Sequence, residues 1–333
     1  MSWQTAKAAI DWALSHSGKR FTLFFQGEGE TTLALCLMQK CYRYASLKCR
    51  KLKKELFVTV TTNGLLSEAA INWLQELRSA LRLYVSFDGP PAIQNRQRPL
   101  RTGGASWPIV WKVIRRLRSM NMPFVIKASV VRGGNLPALV QYFHELQIKT
   151  IQIGGIMERG RCITTCTRSM DINRFVEQFT KAFELGKSLG LEVAPLWSLG
   201  LANSCGLCSL MVVTTDGHIT ACPNVLDGRD KGVEVFVYGR IDEEGHVLID
   251  EHKLRLLRSR TVNRLSPCKK CFAKWNCGGG CATAAYQKTG SVFSVEPEMC
   301  TAIRKATAYM LDKVLRSYVE SDLADTRYLA QHV

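Results

Sequence analysis

The sequence lacks any apolar run of membrane-spanning length, and residues 1–20 lack the charged start and apolar stretch of a signal peptide. Internal repeats and low-complexity segments are also missing. Acidic residues are few, because 28 Asp and Glu stand against 45 Lys and Arg, for a net charge of +17. We therefore expect a soluble, cytoplasmic protein that attracts an anionic partner such as an acidic peptide, a nucleotide, nucleic acid or a membrane surface.

The first half of the chain alternates β-like runs with amphipathic stretches of helical length. Strands that are separated by helices indicate parallel βα units, so we predict an α/β fold, an open or partly closed barrel with ligands at the carboxyl ends of the strands. The predicted strands are Phe21–Gln26, Leu56–Thr61, Leu81–Phe87, Phe124–Val131 and Thr150–Gly154, followed by a short strand near Leu191.

The second half has a different pattern. After a predicted helix over 170–189, the alternation gives way beyond Pro195 to cysteines, glycines and short turns. A further helix is predicted over 298–319, before a polar and mobile tail. We therefore divide the chain into a partial barrel over 1–195, a small cysteine-rich domain over 196–310, and a helix end with its tail over 311–333.

Thirteen cysteines point to metal ligation, because thiols are kept reduced in the cytosol. Eight of them are concentrated in the second half and can supply two sets of four thiolates. The spacings x2, x5 and x3 in one continuous run do not divide into two zinc knuckles, which favours iron–sulfur clusters and leaves zinc as the alternative. These eight are Cys205, Cys208, Cys222, Cys268, Cys271, Cys277, Cys281 and Cys300.

The other five cysteines lack such spacing, and we interpret them as buried structural thiols. They are Cys36, Cys41, Cys49, Cys162 and Cys166.

The cysteine pattern, together with Gly217-x4-Cys222, resembles the SPASM domain of radical S-adenosylmethionine (SAM) enzymes that modify peptides. The resemblance implies two 4Fe-4S clusters. It assigns one cluster to Cys205, Cys208, Cys222 and Cys281, and the other to Cys268, Cys271, Cys277 and Cys300.

The first half resembles the radical SAM domain of the same family. Phe25-Gln26-Gly27-Glu28 is similar to its Gly-Gly-Glu-Pro motif, from which Gln26 and Gly29 depart. By resemblance, the glutamate and strand-end backbone accept the SAM ammonium group. Later SAM-binding turns are implied around Asn63, around Ser86 and Asp88, at Arg98, and at Gly133-Gly134-Asn135. We expect Ser86 to bond a ribose or carboxylate oxygen, and Arg98 to pair with the SAM carboxylate.

The C-x3-C-x2-C triplet that holds the SAM-cleaving cluster in this family does not occur in the sequence. Cys162-x3-Cys166 comes nearest, but Ser169 stands at the third position. The chain is expected to begin in the helix that normally follows the missing loop, over 3–15, without the first barrel strand. The strand near Phe21 would then present an apolar edge, which is a docking place for another chain or a missing segment.

Three functions remain open. The first is a radical SAM/SPASM maturase of a peptide or protein, served by a reductant protein and completed by another segment or partner. The second is a non-catalytic iron–sulfur scaffold or electron-transfer partner. The third is a zinc-containing nucleic-acid binder that uses the basic runs over 43–54, 112–118 and 255–260, although these lack interleaved stacking aromatics. Pro223 follows Cys222 where sulfatase-maturing relatives carry an acidic base, which argues against sulfatase maturation.

Overall fold

The computed structural model describes residues 1–27, 29–131, 134–155, 171–195, 201–226, 228 and 230–331. Several residues named above lie outside these ranges. They are Glu28, Gly133, Cys162, Cys166 and Ser169.

A parallel sheet of six strands forms the first half, with its strands in the same order in space as in sequence. All five strand pairs are parallel. This confirms the predicted α/β fold. The strands are β1 (Arg20–Phe25), β2 (Glu55–Thr62), β3 (Leu81–Ser86), β4 (Val125–Val130), β5 (Thr150–Gly155) and β6 (Glu192–Pro195).

Helices connect these strands and cover one face of the sheet. Alternate strand residues such as Val60, Val85 and Ile126 are fully buried beneath them, in one continuous apolar core. The helices are α1 (Trp3–His16), α2 (Leu35–Lys51), α3 (Glu68–Glu76), α4 (Pro91–Gln97), α5 (Trp107–Ser119), α6 (Leu136–Glu145) and α7 (Ile172–Ser188).

The strand β1 lies at one margin of the sheet and, among the described strands, pairs with β2. Its Phe21 and Leu23 are buried against α1 and α2, while Phe24 on the opposite face is 46% exposed. The helix α1 begins at Trp3 as predicted, and Ser2 caps it by accepting a hydrogen bond from the Thr5 amide.

A smaller antiparallel sheet of four strands follows, in the order β10, β9, β8, β7. Ile219, Phe236 and Leu257 form the centre of a second apolar core beside it. The predicted domain boundary at 195 coincides with the end of β6, and the division into domains stays a prediction. The strands are β7 (Val212–Val213), β8 (His218–Thr220), β9 (Val237–Ile241) and β10 (Val247–Ile249). The helices here are α8 (Val233–Phe236), α9 (Glu251–Arg258), α10 (Lys274–Cys277) and α11 (Ala282–Thr289).

A long helix, α12 (Pro297–Gln331), returns to the first half and packs on α7. Ala302 and Ala306 contact Val176, and the Tyr309 hydroxyl donates a 2.7 Å hydrogen bond to Glu184. The helix continues beyond residue 319, the predicted end, because the following residues are mostly helix formers such as Glu, Leu and Ala. Within the ranges that the structure describes, no helix is both long and apolar enough to span a bilayer.

Candidate metal centre and sheet-edge site

The turns at the carboxyl end of the parallel sheet bring several predicted residues to one edge. Asn63 and Gly64 follow β2 directly, and the Asn63 side chain accepts a 2.9 Å hydrogen bond from the Leu65 amide. Gly64 has a φ of +84°, and an added Cβ would lie 2.7 Å from Val110. Glycine is therefore required at this turn, which lets the backbone leave the strand sharply.

Glu30 is the carboxylate that the structure describes at the end of β1. Its Oε2 accepts a 2.6 Å hydrogen bond from the Asn63 amide, and its Oε1 accepts from the hydroxyls of Thr62 (2.9 Å) and Thr32 (2.6 Å). Glu28, which the family resemblance implies, lies outside the described residues, and its role stays a prediction. The repeated Gly-Glu pair in Gly27-Glu28-Gly29-Glu30 also allows the motif to be placed two residues later, at Glu30.

Asp88 and Arg98 form an ion pair at the same edge of the sheet. The Asp88 side chain is 1% exposed and accepts 2.8 Å hydrogen bonds from Arg98 Nε and Gln97 Nε2, and a 2.9 Å bond from the Ser129 amide. Arg98 Nη2 also lies 3.3 Å from the Ser129 hydroxyl. Two guanidinium nitrogens thus hold the edge of the sheet together, and the predicted bidentate pair between Arg98 and a ligand carboxylate stays a prediction.

Ser86 lies on the face of the sheet that turns away from the helices. Its register partner on β4 is Lys127, whose Nζ lies 5.0 Å from the centre of the Tyr84 ring. Burial lowers the pKa of Lys127, and the nearby charge of Arg98 lowers it further. Around Ser86 this face therefore carries polar and basic side chains, in contrast to the apolar face beneath the helices.

The first predicted set of cysteines converges from two turns, one strand end and one helix start. The Cys208 amide donates to the Ala221 carbonyl at 3.1 Å, which ties its turn to Cys222. The Thr283 hydroxyl lies 3.4 Å from Cys222 Sγ and 3.3 Å from Cys281 Sγ. Burial, with a contribution from Cys205 and Cys222, raises the pKa of Cys208 to about 12. These four thiols are therefore close enough to influence one another.

The second predicted set is coupled in the same way. The Cys271 amide donates to the Cys268 carbonyl at 3.0 Å, in a tight turn. Burial raises the pKa of Cys300 to about 11, and Cys277, Cys268 and Cys271 all add to this effect. Cys300 lies at the start of α12, so the long helix contributes one thiol to a group that otherwise comes from 268–277.

A glycine turn separates the two sets in the chain. Gly278, Gly279 and Gly280 have φ values of +62°, +80° and +67°. Their conformation directs the amides of Gly279 and Gly280 toward the Cys277 thiol. These hydrogen bonds lower the pKa of Cys277, but burial raises it by more. A Cβ on Gly278 would lie 2.5 Å from the Ser204 carbonyl, beside Cys205. The turn thus brings Cys277 of one set close to the backbone of the other.

The spacing of the thiols can be compared with the size of a metal group. Sulfur ligands of one tetrahedral zinc ion lie about 3.8 Å apart. Among the described residues, no three of these eight sulfurs lie within 4.8 Å of one another. Within the part of the chain that the structure describes, a group that compact occurs at Asp242, Glu244 and His246, in the β9–β10 turn.

Comparison with solved structures defines the fold. The chain superposes over 95% of its length on 90% of anSMEcpe with bound AdoMet, with a TM-score of 0.75 and 20% identity. The structure of anSMEcpe with AdoMet and the peptide Kp18Cys gives a TM-score of 0.74 and 18% sequence identity, over 95% of this chain and 90% of anSMEcpe. SuiB from Streptococcus suis, bound to its precursor peptide SuiA, gives a TM-score of 0.58 and 13% sequence identity, over 89% of this chain and 68% of SuiB.

These neighbours are radical SAM/SPASM enzymes, anSME being an anaerobic sulfatase-maturating enzyme and SuiB a peptide-modifying one. The chain therefore has the α/β fold of radical SAM/SPASM enzymes. No protein-family model and no curated protein matches the sequence.

Proposed function

We propose that this chain is a radical SAM/SPASM-type iron–sulfur protein that takes part in modifying a peptide or protein. The observation that carries the proposal is the sorting of eight cysteines into two electrostatically coupled sets of four. Like-charged thiolates repel one another, so a fold gains from gathering four of them only when a metal group binds there. Each set would hold one 4Fe-4S cluster.

Cluster ligation follows the two sets. Cys205, Cys208, Cys222 and Cys281 would hold one cluster, and Cys268, Cys271, Cys277 and Cys300 the other. The amides of Gly279 and Gly280 would stabilise the Cys277 thiolate, and Thr283 would donate to Cys222 or Cys281. Such hydrogen bonds to ligand sulfurs are among the features that set cluster potentials.

The carboxyl edge of the parallel sheet is the proposed SAM-binding region. Glu30 and the Asn63 turn would face the ammonium group, while Ser86 and Arg98 would face the ribose and carboxylate. AdoMet is bound to anSMEcpe, which supports SAM as a ligand of this fold. We propose that SAM cleavage also needs cysteines that this sequence does not contain, and a reductant protein to supply the electron.

A peptide or protein is the proposed substrate. Peptides are bound in the anSMEcpe and SuiB structures, and the positive charge of this chain would attract an acidic segment. Because Pro223 follows Cys222, we favour a peptide modification other than sulfatase maturation.

The test is iron and sulfide content after anaerobic reconstitution, with Cys222→Ala and Cys271→Ala as variants and Cys41→Ala as the matched control. We expect about eight irons per chain, a loss of roughly half in each ligand variant, and no loss in the control. Stoichiometric zinc without iron would overturn the proposal and return the zinc-containing nucleic-acid binder to consideration.

A non-catalytic scaffold is the second candidate, favoured by the lack of a C-x3-C-x2-C triplet in the sequence. The two candidates differ in their response to SAM. Under a strong reductant, formation of 5′-deoxyadenosine by the reconstituted chain alone would rule out the scaffold. Cluster loading without SAM binding would favour it.

A further inference from the structure

Among the residues that the structure describes, Arg260 is the largest side chain that is almost completely buried, at 1% exposure. It follows α9 and lies between the two sets of cysteines. Its guanidinium donates to backbone carbonyls on three sides: Nε to Val292, Nη2 to Gly279 (2.9 Å) and Ser294 (3.2 Å), and Nη1 to Gly280 (3.3 Å). These carbonyls satisfy its hydrogen bonds but carry no full charge.

The charge of Arg260 has no carboxylate partner among the residues that the structure describes. Its Nη1 lies 3.7 Å from Cys205 Sγ, in the first set. Its charge also acts on Cys268 and Cys277, in the second set. An unpaired buried cation is costly, and sulfurs held as thiolates by a metal group would supply the missing negative charge.

Arg260 also fixes the chain between the two sets. Two of the carbonyls that it binds belong to Gly279 and Gly280, which connect Cys277 of the second set to Cys281 of the first. These glycines carry the amides directed at the Cys277 thiol. One side chain therefore contacts the turn that joins the sets and supplies positive charge to both of them.

We propose that Arg260 is the shared counter-cation of two cluster sites, a positioning residue that holds the glycine turn and raises the reduction potential of both clusters. Reduction adds negative charge to a cluster, and a nearby buried cation stabilises the reduced form more than the oxidised form. The inference rests on the proposed function, because it needs clusters in both sets.

The test compares Arg260→Gln and Arg260→Lys with Arg255→Gln, which removes an exposed charge from α9. Iron content is measured first, and then both midpoint potentials by redox titration monitored by electron paramagnetic resonance (EPR). We expect Arg260→Gln to lower both potentials, Arg260→Lys to lower them less, and Arg255→Gln to leave them unchanged. A purely structural role would alter loading or stability without moving both potentials in one direction.

Outcomes for the inference and the proposed function are distinct. Wild-type protein without iron would defeat the proposed function. Loaded Arg260→Gln with wild-type potentials would defeat only the inference. If Arg260→Gln does not load, pulsed EPR on wild-type protein with 15N-labelled arginine replaces it. In wild-type protein we expect coupling between arginine nitrogen and the electron spin of a reduced cluster, and we expect Arg260→Lys to abolish that coupling. Loaded wild-type protein without the coupling would overturn the inference.

Discussion

Cysteines occur in two regions of this molecule with opposite surroundings. Cys41 and Cys49 lie about two turns apart on one face of α2, packed among apolar side chains of α1 and β1. In the C-terminal half, eight cysteines come from turns and element ends and lie near one another. The first arrangement buries single thiols, whereas the second gathers thiols into groups.

The surroundings of a cysteine therefore distinguish a structural thiol from a candidate metal ligand. Helical periodicity alone buries Cys41 and Cys49, and burial raises the pKa of both, so they stay protonated and unreactive. In the second region, burial raises the pKa of Cys300, and the neighbouring Cys277, Cys268 and Cys271 raise it further, because a second thiolate beside the first is unfavourable. Under the proposed function, a cluster would bind these thiols as thiolates and offset that repulsion.

The largest expected effect comes from Gly278→Ala. An added Cβ would meet the Ser204 carbonyl at 2.5 Å, so the backbone beside Cys205 and Cys277 must move. We expect loss of more than half of the bound iron, since the displaced backbone serves both sets. Iron and sulfide assays on reconstituted protein measure this.

Gly290→Ala is the matched control for Gly278→Ala. Gly290 also has a positive φ, of +74°, but nothing lies within 4 Å of the added Cβ. Both variants bear the conformational cost of about 1–2 kcal/mol for a side chain in this region. Equal iron loss in the two would show that conformational strain, rather than the close approach of the two sets, governs assembly.

Asp88→Asn is expected to affect the sheet region and leave the metal region unchanged. The buried Asp88 carboxylate pairs with Arg98, whose side chain is 33% exposed, so loss of its charged hydrogen bonds should cost about 1–3 kcal/mol. Denaturant unfolding of the apoprotein should report that loss, while reconstituted iron content stays at the wild-type level. Asp11→Asn, at a partly exposed ion pair with Lys7 and Lys48, should cost no more than about 1 kcal/mol. Iron loss in Asp88→Asn would mean that the two regions are not independent.

Local patterns in the sequence predicted the sheet region well. Five strands lie within one residue of their predicted bounds, because apolar runs and the flanking turns are encoded locally. The sixth, β6, begins one residue after Leu191, near which a short strand was predicted. The grouping of cysteines was implied by a family resemblance rather than by spacing. Glu30 was not among the predicted residues, because the repeated Gly-Glu pair after β1 allows two registers and the prediction used the first, at Glu28.

Arg260 shows what local patterns cannot supply. In the sequence it ends the basic run over 255–260, which was considered as part of a nucleic-acid-binding surface. Its burial depends on carbonyls of Gly279, Val292 and Ser294, which are distant in sequence and approach only when the cysteine region has folded. Nothing near Arg260 in the chain encodes that environment.

A smaller effect separates two cysteines within α2. Cys41 is 6% exposed and Cys36 is exposed. Cys41→Ser buries a hydroxyl among apolar side chains and should cost about 1–3 kcal/mol of unfolding free energy, whereas Cys36→Ser should lie within about 0.5 kcal/mol of wild type. Neither should change iron content. A thiol reagent should label Cys36 in the native protein and leave Cys41 unlabelled, and iron loss in Cys41→Ser would break the division into structural and metal-binding cysteines.

The smallest effect is the dependence of stability on alkaline pH. Burial raises the pKa of Cys41 from its ordinary value of 9.0 to about 11, so between these values the folded chain holds the proton more tightly than the unfolded chain. Unfolding free energy must therefore fall as the pH rises from about 9 to about 11. Cys300, with a pKa of about 11, adds to this decline in the metal-free protein but not when it ligates a cluster as thiolate. Denaturation at several pH values should thus give a steeper decline for metal-free than for loaded protein, while Cys41→Ala reduces the slope equally in both. If unfolding free energy fell equally steeply with pH in the metal-free and the loaded protein, the C-terminal thiols would be protonated structural thiols like Cys41 and Cys49 rather than cluster ligands.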